Sequence, residues 1–251
     1  MAAKTTSILY VPGAWHKAST FNPVATLLEE AGYRVDLIDL PSVGPAKHLP
    51  NFDADVEVIR SHIQKACDAG REIVLIGHSY GSIPASEAAK GLDLSSRQKE
   101  GKAGGVKHLV FCCAFIVDEG HSLIGAFGGS PLPWFKISED QLEVNPDTPE
   151  KIFYNDVADN TTEEMIRALR PQSYQVMHTP VTYAAWKHIP STYIYTTQDA
   201  AIPLQIQQMM VETVAKGYPI NTDTVDAGHS PFLSKPKETA EAIRRAAGEY
   251  S

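Results

Sequence analysis

The chain has 251 residues, 43% of them hydrophobic and 21% charged, with a formal net charge of -8 and a pI near 5.6. These values fit one globular domain with a sizeable core and exclude disordered and collagen-like classes. The densest basic cluster is Arg244-Arg245, so the sequence lacks the Lys/Arg stripe that a nucleic-acid partner needs.

The apolar run Ser7 to Val11 ends at Pro12-Gly13 and predicts a strand and turn. Phe21, Val24, Leu27 and Leu28 share a helical face that stops at Gly32. Residues 35–40 predict a second strand. Residues 53–69 carry Val56, Ile59, Ile63 and Cys67 at helical spacing. Residues 72–76 predict a buried strand, 83–89 the opening of a helix, and 106–115 a continuous apolar strand suited to a parallel sheet. Regular alternation then breaks. Residues 117–188 scatter Pro, Gly, Trp and Tyr, with short helical patterns such as 163–169. They read as a cap inserted in a single domain of residues 1–251. Alternation resumes with a strand at 192–197, a helix at 204–215, a strand at 220–225 and a helix at 236–247. The whole predicts an α/β fold with a parallel sheet and helices on both faces.

Cys67, Cys112 and Cys113 form no disulfide or zinc pattern and read as buried free thiols. The opening MAAKTTSILYVPG lacks the apolar core of a secretory signal, and no stretch approaches a membrane span. The expectation is a cytoplasmic protein acting on a small molecule, without metal or organic cofactor and with no membrane partner. A homodimer is compatible with the sequence.

Gly77-His78-Ser79-Tyr80-Gly81 matches G-x-S-x-G. Alone, such a match is no more than a turn of small residues. Between a predicted strand and a predicted helix it reads as a nucleophile elbow, with the Ser79 hydroxyl exposed at the strand's end. A serine needs a base. Of nine histidines, His229 alone follows the last predicted strand and precedes the final helix. The third member should orient that imidazole. Asp199 stands in the loop after the penultimate strand. Asp118 is a competitor, because some members of this fold place the acid after the preceding strand, and Asp226 reads better as a turn former. The Tyr80 amide and the Ala14 amide are the expected oxyanion donors, with Gly13 second to Ala14. Candidate substrate contacts are Gly13, Trp15, His16 and Phe115 from the core and Phe127, Trp134, Tyr154 and Trp186 from the cap. The competing reading is that most cap rings only hold the cap to the core.

The segments VPGAWHKAST, AGYRVDLIDLPSVG, IVLIGHSYGS, FYNDV, RPQS, YIYTTQDAAIP and DAGHSPFLSKP span nearly the whole chain. Together they resemble the small α/β-hydrolases related to plant methylesterases and hydroxynitrile lyases, and more closely the esterase-like bacterial and fungal members. The resemblance implies a triad of Ser79, Asp199 and His229 and a six-stranded α/β-hydrolase sheet without an N-terminal antiparallel hairpin. The lyases of this group carry a lysine after the catalytic histidine and a threonine in the first loop. Ser230 and Gly13 stand there instead, which favours ester hydrolysis over cyanohydrin cleavage. A C–C hydrolase, lactonase or lyase using the same triad stays open, as does a ligand receptor on the same fold.

Overall fold

Alternation of side chains along β1 (Thr6–Val11) builds two cores at once. In the computed structural model, which describes residues 4–249, Leu9 and Val11 face one core while Ile8 and Tyr10 face the other. The chain continues through α1 (Asn22–Glu30), β2 (Arg34–Leu37), α2 (Asp53–Asp68), β3 (Glu72–His78), α3 (Ser82–Ala88), α4 (Leu94–Lys99) and β4 (Gly105–Cys112). After an insert come β8 (Ser191–Thr196), α8 (Leu204–Met209), β9 (Ile220–Val225), α9 (Pro231–Ser234) and α10 (Pro236–Ala246). The insert holds α5 (Leu123–Ala126), β5 (Phe135–Ile137), β6 (Glu143–Pro146), α6 (Pro149–Ile152), α7 (Asp159–Ala168) and β7 (Gln172–Ser173).

The main sheet is six-stranded and parallel, in the order β2-β1-β3-β4-β8-β9. On one face, Val24 and Leu28 of α1 and Ile243 of α10 pack on Ile8, Val74, Ile76 and Val110. On the other, Ile59 and Ile63 of α2 and Ile83 of α3 pack on Leu9, Ile73, Leu75 and Leu109. Each such fully buried side chain contributes about 1.5–3 kcal/mol. This is the α/β-hydrolase fold. Among the described residues no helix is long and apolar enough to cross a membrane.

Several details differ from the sequence reading, among them the second strand, which stops at Leu37 and not at residue 40. The fourth strand stops at Cys112, short of Phe115, because Cys113 turns the chain at φ +36. The helix from Leu204 passes into a wider π-type turn over Met210–Val214. The insert carries a three-stranded antiparallel sheet, β5-β6-β7, that was not anticipated. Strands of two to four residues show too few alternations to be read. The insert also touches the loop after β2, where Ser173 N–H donates to the Ser42 carbonyl at 2.9 Å.

The passage from β3 into α3 is set by contact with β1. A Cβ on Gly81 would lie 2.2 Å from the Pro12 carbonyl oxygen and 2.8 Å from that of Val11. One on Gly77 would lie 2.4 Å from the Ser82 Cα. Both obstacles are backbone, so neither swings aside. Gly81→Ala should therefore destabilise the protein by about 3 kcal/mol, read as a lowered urea midpoint. An unchanged midpoint would contradict this packing.

Candidate active site

Ser79 leaves β3 in the left-handed region, at φ +49. For a residue with a side chain this costs roughly 1–3 kcal/mol. Surrounding groups hold it there: the Ser79 carbonyl accepts from the Ser82 hydroxyl at 2.9 Å and from the Phe115 N–H at 3.4 Å. Ser79 is otherwise buried, with 8% of its surface exposed. Among the described residues its Oγ has no hydrogen-bond partner, His229 included, and Nε2 of His229 is likewise unengaged. Ser79 lines a cleft, and a contact such as that between Ser79 and His229 commonly tightens only when substrate binds.

His229 and Asp199 stand in the loops after β9 and β8. His229 Nδ1 lies 2.8 Å from Asp199 Oδ2, and both side chains are almost wholly buried. Asp199 Oδ1 accepts from the N–H groups of Ala201 at 2.8 Å and Ile202 at 2.7 Å. Oδ2 also accepts from the Thr196 hydroxyl at 3.0 Å. A carboxylate matched by donors in this way fixes the proton on Nδ1 and leaves Nε2 as the accepting nitrogen. The competing acids stand elsewhere. Asp118 is half-exposed and paired with Lys187 at 2.5 Å, and Asp226 accepts on the surface from Thr197 and Gln198.

The loop after β1 supplies the facing wall. Gly13 N–H donates to His78 Nδ1 at 3.2 Å, and Trp15 N–H to Gln172 Oε1 at 3.3 Å. Between them the Ala14 N–H has no protein acceptor among the described residues. Gly13, the second candidate donor, is thus already engaged, and Ala14 is the one left free. A Cβ on Gly13 would come within 2.9 Å of the Ser79 Cβ, so glycine lets this loop close on the serine.

Two buried histidines brace these loops. His78 Nε2–H donates to the His229 carbonyl at 2.9 Å while Nδ1 accepts from Gly13. His16 Nδ1–H donates to the Ala14 carbonyl at 2.7 Å, and Nε2 accepts from the Tyr154 hydroxyl at 2.8 Å. Burial lowers the pKa of both, with the neighbouring His229 adding to the effect; His16 falls to about 4 and His78 well below its usual range. His78, Cys113 and His229 could present ligand atoms within 4.8 Å of one another. The two His78 nitrogens are occupied, though, and the Cys113 thiol, its pKa raised by burial, points to the His229 carbonyl at 3.4 Å. This donor set does not fit a metal without dismantling the brace.

A second polar chain runs behind the elbow. The Tyr80 hydroxyl donates to Asp55 Oδ2 at 2.9 Å, as does the Ser42 hydroxyl at 2.6 Å; the Ser42 N–H donates to Oδ1 at 2.9 Å. Gln172 Nε2 donates to Ser42 Oγ at 2.8 Å, and its Oε1 holds Trp15. Burial raises the Asp55 pKa, and the bonds from Ser42 and Tyr80 oppose that shift. Nothing in the sequence marked Asp55, because an acid in the first turn of a helix is ordinary.

A narrow cleft with about 10 Å³ of free space opens on Ser79. Trp15, Phe115, Trp134 and Phe135, another ring of the insert, line it, as do Leu123, Leu132, Met177, Ala201 and Ile202, which the sequence reading did not single out. No charged side chain is among them. The other expected substrate contacts lie off this wall. Gly13, His16 and Tyr154 are spent on internal hydrogen bonds. Phe127 packs edge-on behind Phe115, at 5.4 Å between ring centroids. Trp186 donates to the Val117 carbonyl and packs against Tyr218. A hollow of about 310 Å³ between α1 and α10 reaches none of these groups.

A family model described as the alpha/beta hydrolase family matches residues 8–242. The chain belongs to the alpha/beta hydrolase family. Among its relatives is "Alpha/beta hydrolase nvfD" of Aspergillus novofumigatus (strain IBT 16806), 32% identical over 246 residues that cover 97% of each chain. Another is "Probable hydrolase R7" of Phoma sp. (strain ATCC 20986 / MF5453), 26% identical over 96% of this chain and 98% of that one. The crystal structure of polyneuridine aldehyde esterase superposes with a TM-score of 0.78, covering 97% of this chain and 100% of that one. At 19% identity that likeness is one of fold.

In this alpha/beta hydrolase the neutral histidines make stability depend on acid. His16 and, bonded to Thr192, His108 fall to about 4, and His78 is lowered as well, in each case mainly by burial. The unfolded chain, with histidines near 6.5, binds these protons first. Their contribution is therefore complete above 6.5 and is lost as pH falls from there toward about 4. The urea midpoint should drop through this window, and a flat midpoint would show that the histidines are not buried neutral.

Proposed function

We propose that this alpha/beta hydrolase is a serine hydrolase that cleaves small to medium, uncharged carboxylic esters through an acyl-enzyme on Ser79. One observation carries the reading: a buried, donor-matched Asp199 fixes His229 while the unengaged Ala14 N–H and the strained, partnerless Ser79 hydroxyl share one cleft. Family membership and relatives named as hydrolases support the hydrolase class. The name of the structural neighbour polyneuridine aldehyde esterase agrees with an ester bond as the target.

In the proposed sequence His229 Nε2 takes the Ser79 proton as Oγ bonds to the ester carbonyl carbon. The amides of Ala14 and Tyr80 hold the resulting oxyanion. The C–O bond then breaks, and the departing alcohol receives the proton from His229. Water attacks the acyl-enzyme, giving its proton to His229, and the acid leaves Ser79 with its hydroxyl restored. Asp199 stays ionised and steadies the imidazolium. The reaction as written uses no cofactor. The insert acts as a cap, and its apolar lining favours an uncharged alkyl or aryl group, since a charge there would lose its water without gaining a partner.

Ser79→Ala should abolish labelling by a serine-directed fluorophosphonate, and labelling that persists at the native rate would remove Ser79 from the mechanism. Asp199→Asn should lower kcat on an aryl ester by about 10³–10⁴. Asp118→Asn should leave it within about twofold, because that carboxylate makes only a surface ion pair. The reverse ranking would move the acid to Asp118. In isotopically heavy water the label should enter the product acid; products formed without it would point to lyase chemistry.

A further inference from the structure

Four consecutive residues of the insert each touch the catalytic frame. The Phe153 ring lies over His229, with centroids 5.7 Å apart and planes 33° apart, and stacks on Trp15 at 5.5 Å. The Tyr154 hydroxyl donates to His16, whose other nitrogen holds the Ala14 carbonyl. Asn155 Nδ2 donates to the Gln198 carbonyl at 2.9 Å, in the peptide that leads into Asp199. Asp156 Oδ2 accepts from the Gly228 N–H at 2.7 Å, one residue before His229. The fit at Gly228 is close: a Cβ there would lie 2.4 Å from Asn155 Oδ1 and 2.6 Å from Asp156 Oδ1.

We propose that Phe153–Asp156 is a clasp that holds the oxyanion, acid and base loops in register, with Tyr154 and Asp156 as positioning residues. The inference rests on the reading of Ser79 as the nucleophile. An insert that needed only to stay attached could do so by apolar burial alone. Here three successive side chains instead make polar bonds, each to a residue within two positions of Ala14, Asp199 or His229. These loops come from the ends of three different strands, β1, β8 and β9; backbone bonds from Thr197 and Gln198 to the Val225 and Ala227 carbonyls still tie the second to the third, but among the described residues none ties the loop after β1 to either. The Asp156 contact is charge-assisted and so stronger than a neutral bond. The other Asp156 oxygen is buried without a partner, a cost that the bond to Gly228 must offset.

The test compares Tyr154→Phe, Asp156→Ala and Asp156→Asn in the full chain. Each is read by the rate of fluorophosphonate labelling, by kcat and KM on p-nitrophenyl butyrate, and by Tm. Labelling of the native chain at Ser79 comes first; its absence removes the nucleophile and the clasp with it. Given native labelling, Tyr154→Phe and Asp156→Ala should each lower the labelling rate and kcat about tenfold, with KM within about twofold. Asp156→Asn should recover most of the loss, because its amide oxygen still accepts from Gly228. Native rates in the variants would overturn the clasp while leaving Ser79 in place. So would losses no larger than the unfolded fraction that Tm implies, or an Asn variant no better than Ala.

Discussion

Where α3 meets β1, the backbone of Gly81 sits directly against the carbonyls of Val11 and Pro12. No side chain separates them, and none could. This contact sets the distance between the elbow and the first loop, and so between Ser79 and the free amide of Ala14. The unfavourable dihedral at Ser79 follows from it, because the chain must reverse at once between a central strand and a helix pressed on its neighbour. A looser junction would relax the serine and also move it away from its facing wall.

Around that junction the polar groups are arranged as braces. His78 spans from Gly13 to the carbonyl of His229, so His229 is held by its backbone as well as by Asp199. Asp55 ties the Tyr80 ring to Ser42, and Gln172 carries the connection on to Trp15. Each of these groups is buried and paired, which is the condition under which a polar network in low dielectric stiffens a site and does not weaken it. Both segments that flank Ser79 are therefore held by side chains from distant parts of the chain.

The parallel sheet was legible because its strands are long and apolar and its helices end at clear stops such as Gly32. Ser79 was legible for a local reason: two glycines at fixed offsets after a strand serve few other purposes. Asp199 and His229 could be found because each lies within a few residues of a strand's end. The cleft wall was much less legible. Leu123, Leu132 and Met177 look like any core residue until the insert folds, and the rings of Tyr154 and Trp186 drew attention that their hydrogen bonds explain otherwise. Ser42 meets Asp55 across 13 residues and Gln172 across 130, and no local pattern announces such a meeting.

The insert has two kinds of surface. Leu132, Trp134 and Phe135 line the cleft, whereas Gln172 and the run from Phe153 to Asp156 reach into the loops of the core. These surfaces differ in how freely they can vary over evolutionary time. The lining residues answer mainly to whatever molecule occupies the cleft, so they can drift or be selected for a new one. The reaching residues answer to partners in the core that must change with them. Transplanting a whole insert from a relative would therefore carry mismatched anchors, while exchanging only the stretch around residues 123–132, short of the Trp134 and Phe135 rings that pack on Trp15, would alter what the cleft accepts and leave its frame intact.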